Sequence, residues 1–163
     1  ANGIGNLLSR SLTMIEKNGG GQIKPMPCDG ADEKEIRAKF AEVFLAYENM
    51  MVAFDYSMAL AKVWEAQATL DRYINNRKPW ALAKDPASKE ELATVLYTLA
   101  EGLRMLGSLI QPFMPGTAAE IWRRLGLERT HLEIDWEDHK RWGLLSEGLN
   151  VDKGTPLFPR LED

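Results

Sequence analysis

Cysteine is nearly missing from this chain: Cys28 is the one thiol in 163 residues. One cysteine cannot close an intrachain disulfide or hold a metal alone, so a reducing, cytoplasmic setting is expected. Histidine is scarce as well. His131 and His139 have no further His or Cys at ligand spacing, although Glu133, Asp135, Glu137 and Asp138 surround them, and this argues against a metal site. No apolar run approaches the roughly 18 residues that a membrane-spanning helix requires, so no membrane association is expected. The opening residues, Ala1-Asn2-Gly3-Ile4-Gly5, lack the basic and apolar blocks of a secretory signal. They also lack an initiator methionine and begin inside a helical pattern, which points to a piece of a longer polypeptide. No Ser or Cys stands in a nucleophile motif. Gly19-Gly20-Gly21 is followed by no Gly-Lys-Ser/Thr and preceded by no strand, so it is a loop and not a phosphate cradle. An enzyme active site is disfavoured.

A basic surplus is also absent. Twenty Lys and Arg against 24 Asp and Glu leave a net charge of −4, with a pI near 5.3. Domains that coat a nucleic-acid backbone without specificity are usually basic. That argument leaves open a compact site reading a few bases, which needs few residues and little charge.

What is present is ordinary globular material, 45% hydrophobic and 27% charged, at a length that fits one domain with a real core. The periodicity is helical. At about 100° per residue, Ile4, Leu8 and Ile15 fall within about 40° of one another, while Asn2, Asn6 and Arg10 form an i, i+4, i+8 row facing away. This first helix is expected to run to about Lys17, where the glycine run stops it. A loop through Pro25, Pro27 and Gly30 follows. Asp32 with Glu35 then reads as a capping box for a second helix carrying Ile36, Phe40, Val43, Phe44, Tyr47 and Met51. Asp55 restarts the chain into a third helix, with Leu60, Val63, Trp64, Gln67, Leu70 and Ile74 along one side. Pro79 ends that helix near Arg77.

Ser88-Lys89-Glu90-Glu91 is a further capping box, opening a long Leu-rich helix that Pro112 and Pro115 close. Thr117 and Glu120 repeat the spacing for a short helix ending near Gly126. No alternating run suggests a strand. The fold expected is all-α: one domain over residues 1–163, with a bundle of about five helices to residue 126 and a mostly irregular tail over 127–163 that packs back on it.

Two features carry chemistry. The Asn2, Asn6, Arg10 row is either a solvated face or a set of amides and a guanidinium suited to paired hydrogen bonds with base edges. Trp80, in Arg77-Lys78-Pro79-Trp80, is either a core plug at a turn or an indole held rigidly for a nucleobase to stack on. The residues alone give a helical binding module whose partner stays open.

Read together, Asn2-Gly3-Ile4-Gly5-Asn6-Leu7-Leu8-Ser9-Arg10 and the stretch Asp71-Arg72-Tyr73-Ile74-Asn75-Asn76-Arg77-Lys78-Pro79-Trp80-Ala81-Leu82-Ala83-Lys84 resemble the anticodon-binding domain of methionyl-tRNA synthetases. Gln111-Pro112-Phe113-Met114-Pro115 and Leu157-Phe158-Pro159-Arg160-Leu161 extend the likeness over essentially the whole chain. The Asn-Leu-x-Ser-Arg element is shared loosely with sister class I synthetases, whereas the Pro-Trp stretch is more specific to the methionine enzyme. The isoleucine, valine, leucine and cysteine enzymes, and a helical protein-interaction module, are the competing readings.

The resemblance implies a helix bundle that recognises the CAU anticodon of tRNA(Met). Trp80 would stack on the cytosine at the first anticodon position, with Pro79 fixing the ring. Asn6 and Arg10 would hydrogen-bond that cytosine and the adenine beside it, with Asn2 at the margin. Gly3 and Gly5 each lower helix propensity by about 1 kcal/mol, which leaves Asn2 in fraying backbone. Local cations, Arg10, Arg72, Arg77, Lys78 and Lys84, would suffice, with most phosphate contacts made elsewhere in the parent. The parent would ligate methionine to tRNA, using ATP, magnesium and zinc in a catalytic domain that also contacts this one. The His-Ile-Gly-His-like and Lys-Met-Ser-Lys-Ser-like signatures and the zinc knuckle are missing here, so the fragment itself is expected to be non-catalytic, with no cofactor and no metal.

Overall fold

The Leu-rich segment forms the axle of the molecule. Helix α5 (Lys89–Ile110) is buried on every side through residues 95–110 in this computed structural model, which describes residues 3–127 and 135–159. A helix buried all round must be enclosed by others, and here they are α1 (Ile4–Asn18), α2 (Ala31–Val52), α3 (Tyr56–Arg77) and α6 (Pro115–Arg124). The fold is an all-α bundle. Among the described residues five α-helices are long, and two are single turns, α4 (Pro79–Leu82) and α7 (Trp136–His139). An isolated bridge pairs Gln22 with Asn150.

Helices α2 and α3 form an antiparallel hairpin with Phe40, Val43, Phe44, Val63, Ala66 and Leu70 fully or almost fully buried. Helix α1 lies along α3 and α5, burying Ile4, Leu7, Leu8, Ser11, Leu12 and Ile15. It ends at Asn18, where Gly19 closes back on the Ile15 carbonyl and Gly20 and Gly21 take the positive φ that glycine tolerates. At Gly5 the missing side chain has a use: a Cβ there would stand 3.1 Å from Cδ2 of Phe158. The glycine thus lets the tail lie against α1, which offsets its helix-propensity cost.

Helix starts differ from the capping-box expectations at three points. Asp55 does cap α3, accepting from the Met58 amide at 3.2 Å. Helix α2, however, starts one residue before Asp32, behind an extended Gly30 and with no side-chain cap, because Asp32 is drawn to Arg77. Ser88 flanks α5, yet its hydroxyl donates backward to Asp85, which itself anchors the Pro86–Ser88 turn. Helix α6 starts at Pro115 behind Met114, and Glu120 serves Arg123 and Arg124 rather than the helix end. In α3 the buried face is Ala59, Val63, Ala66, Leu70, Tyr73 and Ile74, whereas Trp64, expected beside them, is 43% exposed.

The tail is held by more than apolar packing. Glu101 and Arg104, both fully buried on α5, pair at 2.8 Å. Glu101 also accepts from the Leu145 amide, and Arg104 donates to the carbonyls of His139 and Arg141. His139 is buried, with its Nδ1 2.9 Å from the Ser108 hydroxyl. It serves as a packing and hydrogen-bonding residue. No metal-binding cluster of acids, His and Cys occurs among the described residues, which exclude His131 and Glu133. Among those same residues no helix is long and apolar enough to cross a membrane.

Candidate nucleic-acid interface

Three elements converge at the C-terminal end of α3. Lys78, with φ 47° and ψ 60°, is the only residue between α3 and α4. Its amide closes α3 on the Ile74 carbonyl and its own carbonyl starts α4. A left-handed residue here turns the chain sharply, and Pro at the first helical position suits the new start. Pro79 is buried while Trp80 is 41% exposed. The plug at this turn is therefore the proline, and the indole stands partly in solvent.

Helix α1 brings Arg10 to that indole. Its guanidinium carbon lies 5.6 Å from the centroid of the Trp80 ring, within cation–π range. Asn6, one turn earlier, is exposed, so both residues sit opposite the face buried by Leu8 and Ile15. Asn2 lies outside the described residues. The structure thus brings together Arg10, Pro79 and Trp80, with Asn6 on the same face of α1 as Arg10.

Asn75 is a member of this cluster that sequence reasoning passed over. Its Oδ1 accepts from Arg10 Nη2 at 2.8 Å, across 65 residues of sequence. The residue lies within the stretch quoted above, but nothing in its local spacing marks it as a partner of Arg10.

The local cations divide into two kinds. Arg77, counted above among the cations for RNA, is spent on the protein: it contacts Asp32 at 2.9 Å, Glu33 at 3.4 Å and Glu91 at 3.0 Å. Burial works against its charge, but the Asp32, Glu33 and Glu91 carboxylates prevail and hold its pKa above the ordinary value. It braces the ends of α2, α3 and α5 directly beneath the Pro-Trp turn. Arg72, Lys78 and Lys84 remain exposed. The arrangement suits an unstacked base: an aromatic face, a guanidinium with spare donors and an amide one helical turn away.

Comparison with known proteins gives this geometry a context. A family model described as the anticodon-binding domain of tRNA ligase matches residues 33–153, a span that includes Asn75, Pro79 and Trp80. The chain is 42% identical over 163 residues to the methionine–tRNA ligase of Caldanaerobacter subterraneus subsp. tengcongensis, covering 99% of this chain and 25% of that protein. It is 36% identical over 162 residues to the methionine–tRNA ligase of Fusobacterium nucleatum, covering 99% and 26%. The apo form of Mycobacterium tuberculosis methionyl-tRNA synthetase superimposes with a TM-score of 0.88 at 27% identity, over 100% of this chain and 32% of that one. The same enzyme bound by methionyl-adenylate gives 0.87 at 27% identity, over 98% and 31%. The chain spans about a quarter of the length of the ligases it matches.

Proposed function

We propose a function on one premise: this chain belongs to the anticodon-binding domain family of tRNA ligases. Its macromolecular partner is tRNA, and we infer that the tRNA is the methionine acceptor with anticodon CAU. Trp80 stacks on the cytosine at the first anticodon position, with Pro79 fixing the ring. Asn6 and Arg10 hydrogen-bond that cytosine and the adenine beside it, with Asn2 at the margin of the contact. The observation that carries this reading is the meeting of Arg10 with a partly exposed Trp80 across two helices, beside a second polar residue of the same α1 face.

The parent protein on this reading joins methionine to tRNA in the cytoplasm. ATP, magnesium and zinc are bound in a catalytic part outside this chain, and that part is the second partner of the domain. The test is direct. A stem-loop with anticodon CAU should bind this chain more tightly than loops altered at the first or second position; equal binding of all three sinks the reading.

A further inference from the structure

Two arginines stand at the same corner of the bundle and are held in opposite ways. Arg77 is wrapped by three carboxylates, which neutralise it. Arg10 makes no ion pair among the described residues. It is gripped instead by the Asn75 amide oxygen and the Trp80 ring, both uncharged. A guanidinium only donates, so the oxygen of Asn75 must face it and the amide NH2 must face away. One of its N–H groups is thereby committed, while the charge and the remaining donors stay available.

We propose that Asn75 is a positioning residue for recognition, fixing the Arg10 guanidinium in the pose from which it reads a base. This rests on the reading that Arg10 contacts the anticodon. Arginine is long and rotamer-rich, and a side chain ordered only at binding weakens the complex by the freedom it then loses. Asn75 does that ordering in advance, from the rigid end of α3. The amide suits the task because it fixes direction without cancelling the positive charge that draws RNA.

The inference is tested by stem-loop binding with wild type, Asn75→Ala, Arg10→Ala, the double variant and Asn75→Asp, each with its melting curve. Asn75→Ala should melt like wild type, since the residue is exposed, and should bind the CAU loop about fivefold more weakly, the worth of one ordinary hydrogen bond. The loss should appear as poorer discrimination against a changed base. In the Arg10→Ala background the same substitution should change nothing, because its effect passes through Arg10. Asn75→Asp keeps an acceptor at the same atom, so it should retain the discrimination ratio, while its charge offsets that of Arg10 and lowers the overall affinity.

If Arg10→Ala weakens binding and Asn75→Ala does not, the positioning role is wrong and the anticodon reading stands. A loss at Asn75 that persists without Arg10, or a loss of the discrimination ratio in Asn75→Asp, means that the amide touches RNA itself and overturns the inference. No loss at either residue overturns the anticodon reading and the inference together.

Discussion

The guanidinium of Arg10 lies over the indole of Trp80, 5.6 Å from its centroid, although 70 positions separate the two in the chain. That contact joins α1 to the turn after α3 on the protein surface. It turns two local features of the sequence into one surface.

Replacing Trp80 by Ala should cost about 1–3 kcal/mol of binding to the CAU stem-loop, about tenfold to a hundredfold. Because the ring is 41% exposed and Pro79 fills the interior position, the melting curve should stay near wild type. Early melting instead, of the order of 3–5 kcal/mol, would show the ring to be part of the core. Trp80→Phe should fall between the two in affinity.

Arg10→Ala and Asn6→Ala should each weaken binding without unfolding the domain, since neither belongs to the buried face of α1. The informative measurement is the ratio of affinities for CAU and for loops changed at the first or second base. Each lost base-edge contact should bring that ratio closer to one.

Glu101→Ala should destabilise the fold by about 3–5 kcal/mol in urea titration, because it leaves the fully buried Arg104 charge without its partner. The Leu145 amide loses its acceptor at the same time. Limited proteolysis should then cut within residues 135–159 well before the bundle. A variant as stable as wild type would mean that the pair is dispensable.

Deleting residues 156–163 should lower the melting temperature. Leu157 and Phe158 are half-buried against the core and α1, and a fully buried side chain of this kind is worth about 1.5–3 kcal/mol, so a part of that is at stake for each. An unchanged melting curve would show the contact at Gly5 to be inconsequential.

The stability of the fold should begin to fall as pH drops through the ordinary histidine range, about 6.5, through His139. Burial, and then the Arg104 charge, push its pKa down. The folded state keeps the ring neutral while the unfolded chain takes up a proton. The contribution is therefore complete above the unfolded pKa and is lost as pH falls toward the folded one. His139→Gln should flatten the melting temperature against pH in this window. Glu120 acts lower: its hydrogen bond with Arg123, helped by Arg124, holds its carboxyl at about 2, so its contribution is lost below the usual carboxylate range.

Sequence periodicity revealed the bundle because core helices repeat their apolar residues locally, as α1 and α5 do. It failed where partners are distant. Asp32 and Thr117 fit capping boxes by spacing, yet tertiary ion pairs and a proline start decided the helix ends. Glu101 and Arg104 look like a surface i, i+3 pair, and only the enclosing helices and tail make them a buried anchor. Within the candidate surface, the facing of Asn6 and Arg10 was legible from helical phase alone. Asn75 was not, because its partner is fixed by how α1 lies on α3.

Lys78 alone connects α3 to α4, and this has a consequence for how the surface can vary over generations. With no slack between the helices, the bearing of the Trp80 ring is set by the phase of α3. One residue added or removed between Asn75 and Pro79 would swing that ring by about 100° around the helix and carry it off Arg10. Substitutions in this segment can be sampled one at a time, but changes of length cannot. A change of length in a connection that carries no part of the surface, such as residues 19–30, would leave the bearing of the ring on Arg10 untouched.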